Sequence, residues 1–139
     1  MVLATRPTAL DSVALIKLMD ECGATVLQAT PAMWQMLIAS GWQGRRSLKA
    51  LCGGESLSRE LAGSIQSRTA SLWNLYGPTE TTIWSCIEKV SDEPGPVSIG
   101  RPIANTQVYI LNQEFAPVPA GQSGEIFIGG DGVAQAYWQ

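Results

Sequence analysis

The chain has 139 residues, of which 45% are hydrophobic and only 15% are charged, and its formal net charge is −3. This length and apolar content suit one domain or one lobe of a larger domain, and the scarcity of positive charge excludes nucleic-acid binding through a basic surface. The sequence contains no histidine, which excludes Ser-His-Asp catalysis, Cys-His catalysis and most zinc sites.

The sequence shows neither a membrane-spanning stretch nor a signal peptide. No apolar stretch approaches the length that spans a membrane, and the first residues lack a signal-peptide pattern, so we expect a cytoplasmic protein that binds neither membrane nor nucleic acid. The sequence contains three cysteines, Cys22, Cys52 and Cys86. Their number is odd, and no pair has the spacing of metal ligands. We therefore expect buried, reduced thiols.

The first half of the chain begins with a helical pattern followed by a strand pattern. Thr8 and Asp11 form a candidate capping box for a helix that ends at Gly23. Residues 24–29 (ATVLQA) are apolar and β-branched, which predicts a buried strand.

The same alternation continues through residue 77. Thr30-Pro31 opens a second helix, with threonine as the N-cap and proline in the first turn, and Gly41 ends it. Residues 47–54 form a strand pattern that runs into glycines, a helix follows Ser58, and residues 71–77 form the next strand pattern. Strands that alternate with helices predict a parallel sheet with crossover helices.

The second half contains short strand patterns at 81–90, 106–112 and 124–130. These strands either add to an edge of the first sheet or form a small second sheet. The predicted fold class is therefore α/β: a flavodoxin-like parallel sheet over about residues 1–90, followed by a mainly β extension over about residues 91–139. We expect the whole chain to form a single subdomain.

Three predicted strands end in polar or glycine-rich corners, at residues 28–31, 52–56 and 74–80. Ligands of open α/β sheets bind outside the carboxyl ends of the parallel strands. We therefore expect these corners to be neighbours and to surround a ligand.

The third corner carries side chains suited to a nucleotide and a metal ion. Tyr76 offers a flat face for stacking on a base, and Gly77 permits backbone geometry closed to other residues. Thr79 offers a hydroxyl to phosphate oxygen, and Glu80 offers the hard oxygen ligand that Mg²⁺ prefers. The residues are equally compatible with a turn that Thr79 caps, followed by an edge strand.

Two other polar segments have structural alternatives. Residues 53–55 (GGE) either let a ligand approach the backbone or form a tight strand-to-helix turn. Residues 129–132 (GGDG) resemble half of a phosphate loop but lack its Lys-Ser/Thr, which favours a plain turn. Glu125, at the start of a strand, is either a functional carboxylate or, more simply, a solvent-facing residue.

Several segments together resemble the adenylation domains of nonribosomal peptide synthetases, within the adenylate-forming superfamily: NLYGPTETT, SIGRPIANTQVYILN, GEIFIGGDGVAQAYW, ATVLQATPAMWQML and LKALCGGESLSREL. They follow the family's order and cover nearly the whole chain. The resemblance implies an enzyme that uses ATP and Mg²⁺ to convert an amino acid into an aminoacyl adenylate. It further implies transfer of the aminoacyl group to the phosphopantetheine of a peptidyl carrier protein.

The resemblance also implies nucleotide-binding roles. Tyr76 would stack on adenine and Asn74 would bond to its edge. Gly54 and Glu55 would line the adenine slot through their backbone, beside Gly77.

The catalytic and substrate-binding roles follow in the same way. Thr79 would contact phosphate and Glu80 would hold Mg²⁺. Six positions correspond to the family's amino-acid pocket: Gln28, Leu51, Gly53, Leu75, Ile83 and Trp84. The series of these six residues resembles the pocket signature of glycine-activating domains. By that resemblance, Trp84 would fill the space that a substrate side chain needs. The alternative is that Trp84 and its neighbours are ordinary core residues.

Some elements of the family do not occur in these 139 residues: the Ser/Thr/Gly-rich phosphate loop, the aspartate that holds the substrate amino group, the ribose-binding aspartate and the catalytic lysine. We therefore expect this subdomain to work with the remaining lobes of an adenylation domain and to be inactive alone. Two alternatives are a segment of an acyl-CoA or aryl-acid ligase and a non-catalytic folding or specificity module.

Overall fold

A computed structural model describes residues 2–138. Within them, the helices are α1 (Arg6–Leu10), α2 (Ser12–Glu21), α3 (Pro31–Ala39) and α4 (Arg59–Gln66). The strands are β1 (Val26–Ala29), β2 (Arg45–Gly53), β3 (Thr69–Tyr76), β4 (Cys86–Lys89), β5 (Arg101–Pro102), β6 (Thr106–Leu111) and β7 (Glu125–Gly130).

The predicted α/β fold is confirmed. The first sheet has the order β1-β2-β3-β4-β5, in which β1, β2 and β3 are parallel and β4 and β5 are antiparallel. Strands β6 and β7 form a separate two-stranded antiparallel sheet. Both predicted outcomes for the short strands of the second half therefore occur, because β4 and β5 extend the first sheet while β6 and β7 form the second.

One face of the parallel sheet carries the core. Side chains from α2, α3 and α4 pack with alternate residues of β2, namely Leu48, Ala50 and Cys52, in a single apolar cluster. Right-handed crossovers between neighbouring strands in the order β1-β2-β3 place successive helices on the same face. The opposite face of these strands carries no helix within residues 2–138.

The helix ends show where local signals predict structure and where they do not. Thr30 caps α3 by accepting from the Met33 amide, and Gly23 follows α2 at a φ of +61°, as predicted. Arg45 further holds the end of α2 by donating to the carbonyls of Met19 and Ala24 at 3.2 and 3.0 Å.

The predicted capping box of Thr8 and Asp11 is wrong. Thr5 caps α1 by accepting from the Thr8 amide, and Asp11 caps α2 by accepting from the amides of Val13 and Ala14 at 2.9 and 3.1 Å. The segment therefore contains two helices, since an aspartate caps the turn that follows it better than it reaches back.

The predicted strand over residues 81–90 is also wrong in its first half. Thr79–Thr81 is a 3₁₀ helix, and Thr82 and Ile83 have φ angles of +57° and +71°, which no strand can include. β4 begins at Cys86 after this turn.

The cysteines differ from one another in exposure. Cys52 and Cys86 are buried, as predicted, whereas Cys22 is exposed because it ends α2 at the surface, so the prediction of a buried thiol is wrong there. All three are free. None of the helices in the described residues is long and apolar enough to cross a membrane.

The single-sided core predicts a sharp contrast between two substitutions. Leu37→Ala should lower the free energy of unfolding by about 2–5 kcal/mol, because the Leu37 side chain is fully buried and its loss leaves a cavity. Val13→Ala, at an exposed position of α2, should change it by less than about 0.5 kcal/mol. Urea denaturation of the two variants and the unchanged chain measures this; equal effects would contradict the assigned core.

Candidate functional site

The carboxyl ends of β1, β2 and β3 meet at one edge of the sheet. Ala29 pairs with Cys52, and Cys52 pairs with Asn74, so the three predicted corners begin from one row of the register. The expectation that they are neighbours is confirmed. This edge is where open α/β sheets bind ligands.

A cleft of about 470 Å³ lies at this edge. Five of its lining residues are those to which the resemblance assigns nucleotide binding: Gly54, Glu55, Asn74, Tyr76 and Gly77. Six others have no predicted nucleotide role: Ser56, Leu57, Leu75, Pro78, Val97 and Ile99. The site therefore combines the ends of β2 and β3 with the loop between β4 and β5.

Asn74 connects the sheet to that loop. Its side chain is buried, and Nδ2 donates to the carbonyl oxygen of Ser98 at 2.8 Å. Tyr76, two residues further along β3, lies on the same side of the strand and is half-buried. The hydrogen bond to Ser98 orients the Asn74 amide. Ser98 lies 24 residues away, and no local sequence pattern indicates this contact.

The backbone at Gly54 shapes the floor of the cleft. Gly54 has a φ of +91°, a conformation that side chains disfavour, and it turns the chain out of β2 toward α4. Glu55 follows with an exposed side chain. Residues 53–55 therefore form the strand-to-helix turn that was one of the two alternatives for them, and Gly54 and Glu55 also line the cleft.

Cys52 lies next to the cleft, but its side chain is fully buried. Burial, together with the negative charge of Glu55, raises the pKa of its thiol to about 12. The thiol therefore stays protonated at neutral pH, and a thiolate is the reactive form of cysteine.

The predicted amino-acid pocket lies on the opposite side of the strands. Register places Gln28 beside Leu51 and Gly53 beside Leu75, and alternation along each strand directs all four away from the helices. Trp84 joins them from the turn before β4. A Cβ added to Gly53 would lie 2.5 Å from the Trp84 ring and 2.6 Å from the Leu75 carbonyl oxygen, so the indole rests directly on the glycine.

Ile83 is the one residue of the six that stands apart. Its side chain is 66% exposed and its backbone lies in the left-handed turn. The structure thus brings five of the pocket residues to one face, on which Gln28 is exposed, and leaves Ile83 exposed in the neighbouring turn.

Thr79 and Glu80 lie in the 3₁₀ helix just beyond the cleft, and both are exposed. Glu80 is held by a segment far along the chain: Tyr137 donates to its carboxylate at 2.8 Å, and the Ala134 amide donates to its backbone carbonyl at 2.8 Å. The Tyr137 hydrogen bond lowers the pKa of the Glu80 carboxyl. Sequence reasoning missed Tyr137, because a contact over 57 residues leaves no local signal.

Residues 129–132 form a turn at the end of β7, just before the segment that holds Glu80. Gly129 and Gly130 end β7, and the chain then turns, so that the Gly132 carbonyl oxygen accepts from the Thr82 hydroxyl at 2.8 Å. This is the plain turn that the sequence favours. Glu125 begins β7 with an exposed side chain, as the simpler alternative for it predicts.

Comparisons with known proteins give consistent matches. The sequence profile of the family described as "AMP-binding enzyme" matches residues 1–138. The chain is 46% identical over 129 residues to the PKS-NRPS hybrid synthetase acdB of Aspergillus candidus, covering 91% of this chain and 5% of that protein. It is 41% identical over 138 residues to a dimodular nonribosomal peptide synthase of Bacillus subtilis (strain 168), covering 99% of this chain and 6% of that protein.

Solved structures match as well. A four-domain nonribosomal peptide synthetase, holo-AB3403 bound to AMP and glycine, superposes with a TM-score of 0.91 at 44% identity, covering 98% of this chain and 10% of that one. PA1221, an NRPS protein containing adenylation and PCP domains, superposes with a TM-score of 0.76 at 31% identity, covering 91% of this chain and 27% of that one. The chain thus spans a small part of each of these proteins.

The contact between Trp84 and Gly53 predicts a specific intolerance. Gly53→Ala should lower the free energy of unfolding by about 1–3 kcal/mol, because the new methyl group collides with the indole and with a strand carbonyl. Gly63→Ala is the matched control: no atom lies within 4 Å of its added Cβ, and alanine in α4 should stabilise the chain by about 0.5–1 kcal/mol. Thermal unfolding compares the two, and tolerance of alanine at residue 53 would contradict the packing.

Proposed function

The chain belongs to the AMP-binding enzyme family, and from that premise we propose that it is the substrate-selecting segment of the adenylation domain of a nonribosomal peptide synthetase. The complete domain would join the carboxylate of an amino acid to the α-phosphate of ATP, with release of pyrophosphate. It would then pass the aminoacyl group from AMP to the phosphopantetheine thiol of a peptidyl carrier protein.

The observation that carries this proposal is the convergence of all five predicted nucleotide residues on one cleft. Tyr76 supplies a half-buried aromatic face, and Asn74 supplies an amide that the hydrogen bond to Ser98 orients. An aromatic face beside an oriented amide suits a purine, which needs stacking and hydrogen bonds at its edge. The backbone at Gly54 and Glu55 would complete the slot.

Glycine is the proposed amino acid. The Trp84 ring rests on Gly53 and, with Leu75 and Leu51, occupies the space into which a side chain would extend. A filled pocket rejects larger amino acids by collision, whereas an empty one discriminates only weakly against smaller ones. The synthetase that is 44% identical to this chain was solved with AMP and glycine, which supports the assignment.

The residues present fit a magnesium ion only in part. Within residues 2–138, no three acidic, cysteine or histidine side chains cluster, so the chain would contribute the single exposed carboxylate of Glu80. Mg²⁺ in nucleotide sites is commonly held by one or two carboxylates together with phosphate oxygens and water. When bound there, the ion would neutralise phosphate charge, while the hydroxyl of Thr79 would donate to a phosphate oxygen.

The remaining groups would come from other lobes of the adenylation domain, which we propose as partners of this segment. On the helix-free face Gln28 is exposed and Leu51 and Trp73 are half-buried, so this face offers surface that such a neighbour would cover. A relative that contains both an adenylation and a PCP domain supports the proposed carrier-protein partner.

We expect the isolated chain to show no glycine-dependent exchange of pyrophosphate into ATP. Adenylation depends on several groups positioned around the reacting phosphate, and this chain holds only part of that set. The measurement is ATP–pyrophosphate exchange with the purified chain, with a reaction lacking enzyme as the blank. Exchange well above that blank would show that the segment is catalytically sufficient.

Substitution of residue 84 tests the substrate assignment. When the segment replaces its counterpart in a complete adenylation domain, the chimera should prefer glycine, and Trp84→Ala should raise kcat/KM for alanine relative to glycine by about tenfold or more. Exchange assays across a set of amino acids and aryl acids measure this.

The control is Trp42→Phe, which trims a buried ring on the helical side of the sheet and should leave the ranking of substrates unchanged. A chimera that keeps the preference of its host would contradict the pocket assignment. Preference for an aryl acid would favour the acyl-CoA or aryl-acid ligase alternative.

A further inference from the structure

One wall of the cleft belongs to a loop without regular secondary structure. Residues 90–100 connect β4 to β5, and this loop supplies Val97 and Ile99 to the cleft and the Ser98 carbonyl to Asn74. The shape of the cleft therefore depends on what holds the loop in place.

Arg59, the first residue of α4, holds the preceding part of that loop. Its Nε donates to the Gly95 carbonyl at 2.8 Å, Nη1 donates to the Ser91 carbonyl at 2.8 Å, and Nη2 donates to the Pro96 carbonyl at 3.2 Å. All three nitrogens of one planar guanidinium thus bind three carbonyls within six residues of chain. The donors of arginine have a fixed mutual geometry, so together they fix the path of the backbone they bind.

The anchor of this interaction is rigid. Leu57 and Leu61, on either side of Arg59 along the chain, are both buried, and Ser58 caps α4 by accepting from the Leu61 amide at 3.2 Å. Leu57 also lines the cleft. Arg59 therefore joins the loop to the helix that follows the cleft residue Leu57.

We propose that Arg59 is a positioning residue for the nucleotide cleft, because its three hydrogen bonds hold the loop so that Val97 and Ile99 form a fixed wall. That the cleft binds a nucleotide rests on the proposed function. That Arg59 holds Val97 and Ile99 in place does not depend on it. Arg59 itself does not line the cleft.

The chain offers a matched control on the same helix and the same loop. Gln66, the last residue of α4, donates to the Val90 carbonyl at 3.0 Å and to the Asp92 carboxylate at 3.1 Å. Gln66→Ala releases the start of the loop but leaves the three carbonyls bound by Arg59 untouched. It should therefore leave residues 97–99 ordered.

The first readout is ¹⁵N relaxation of the labelled 139-residue chain. Order parameters of the Val97, Ser98 and Ile99 amides should fall from about 0.85 to below about 0.6 in Arg59→Ala, and stay near the higher value in Gln66→Ala. Arg59→Lys should give intermediate values, because one ammonium cannot reproduce the three-pronged geometry. Order parameters of α3 report whether the fold as a whole has loosened, and unchanged values at 97–99 in Arg59→Ala overturn the proposal.

The second readout is a titration with AMP of complete adenylation domains in which this segment, with each of the same substitutions, replaces its counterpart and the other lobes supply the remaining nucleotide contacts. Arg59→Ala should raise the dissociation constant about tenfold, the equivalent of one or two net hydrogen bonds, while Gln66→Ala should leave it within about twofold. A mobile wall with unchanged AMP affinity also overturns the proposal. If the domain with the unsubstituted segment shows no response to AMP, the assignment of the cleft to a nucleotide fails, and the order parameters still decide whether Arg59 holds the wall.

Discussion

In-register parallel pairing of β1, β2 and β3 determines where the functional side chains lie. The pairing aligns Ala29, Cys52 and Asn74 in one row, so the three strands end at the same edge of the sheet. Because successive side chains of a strand point to opposite faces, the same register also sorts them into two groups. A slip of one residue in β3 would exchange the environments of Asn74 and Leu75.

The two faces of that edge have different physical character. On the helical side, a buried amide and a half-buried tyrosine line an open cleft, which suits a planar ligand with polar edges. On the other side, the Trp84 indole lies so close to Gly53 that it leaves no room for a Cβ at that residue. Under the proposed function, the nucleotide would lie over the amide of Asn74 and the amino acid would lie against Trp84, at the end of the same strands.

The loops around the site are held by long-range hydrogen bonds rather than by secondary structure. Tyr137 and Ala134 bind Glu80, and Arg59 binds the loop that precedes Val97. Backbone carbonyls outside helices and sheets still need donors when they are withdrawn from water. Arg59 of α4 and Asn74 of β3 supply those donors to the loop between β4 and β5, and the Ala134 amide supplies one to the Glu80 carbonyl, which gives these irregular segments a defined position beside the site.

The α/β class and the approximate strands follow from local patterns in the sequence, whereas the five predicted nucleotide residues among the eleven that line the cleft follow from the resemblance of its motifs to a known family. Hydrophobic periodicity, Thr30-Pro31 and the glycines after β2 are local signals, and local signals suffice where the structure is decided by neighbouring residues. The turn at Thr82 and Ile83, the exposure of Ile83 and the contacts of Arg59, Ser98 and Tyr137 became visible only in the three-dimensional fold. These contacts are hydrogen bonds between residues 24 to 57 positions apart, so no short window of sequence contains both partners. The capping of α2 by Asp11 differs from them, because it is a local choice between two helix starts, made through contacts that span two or three residues.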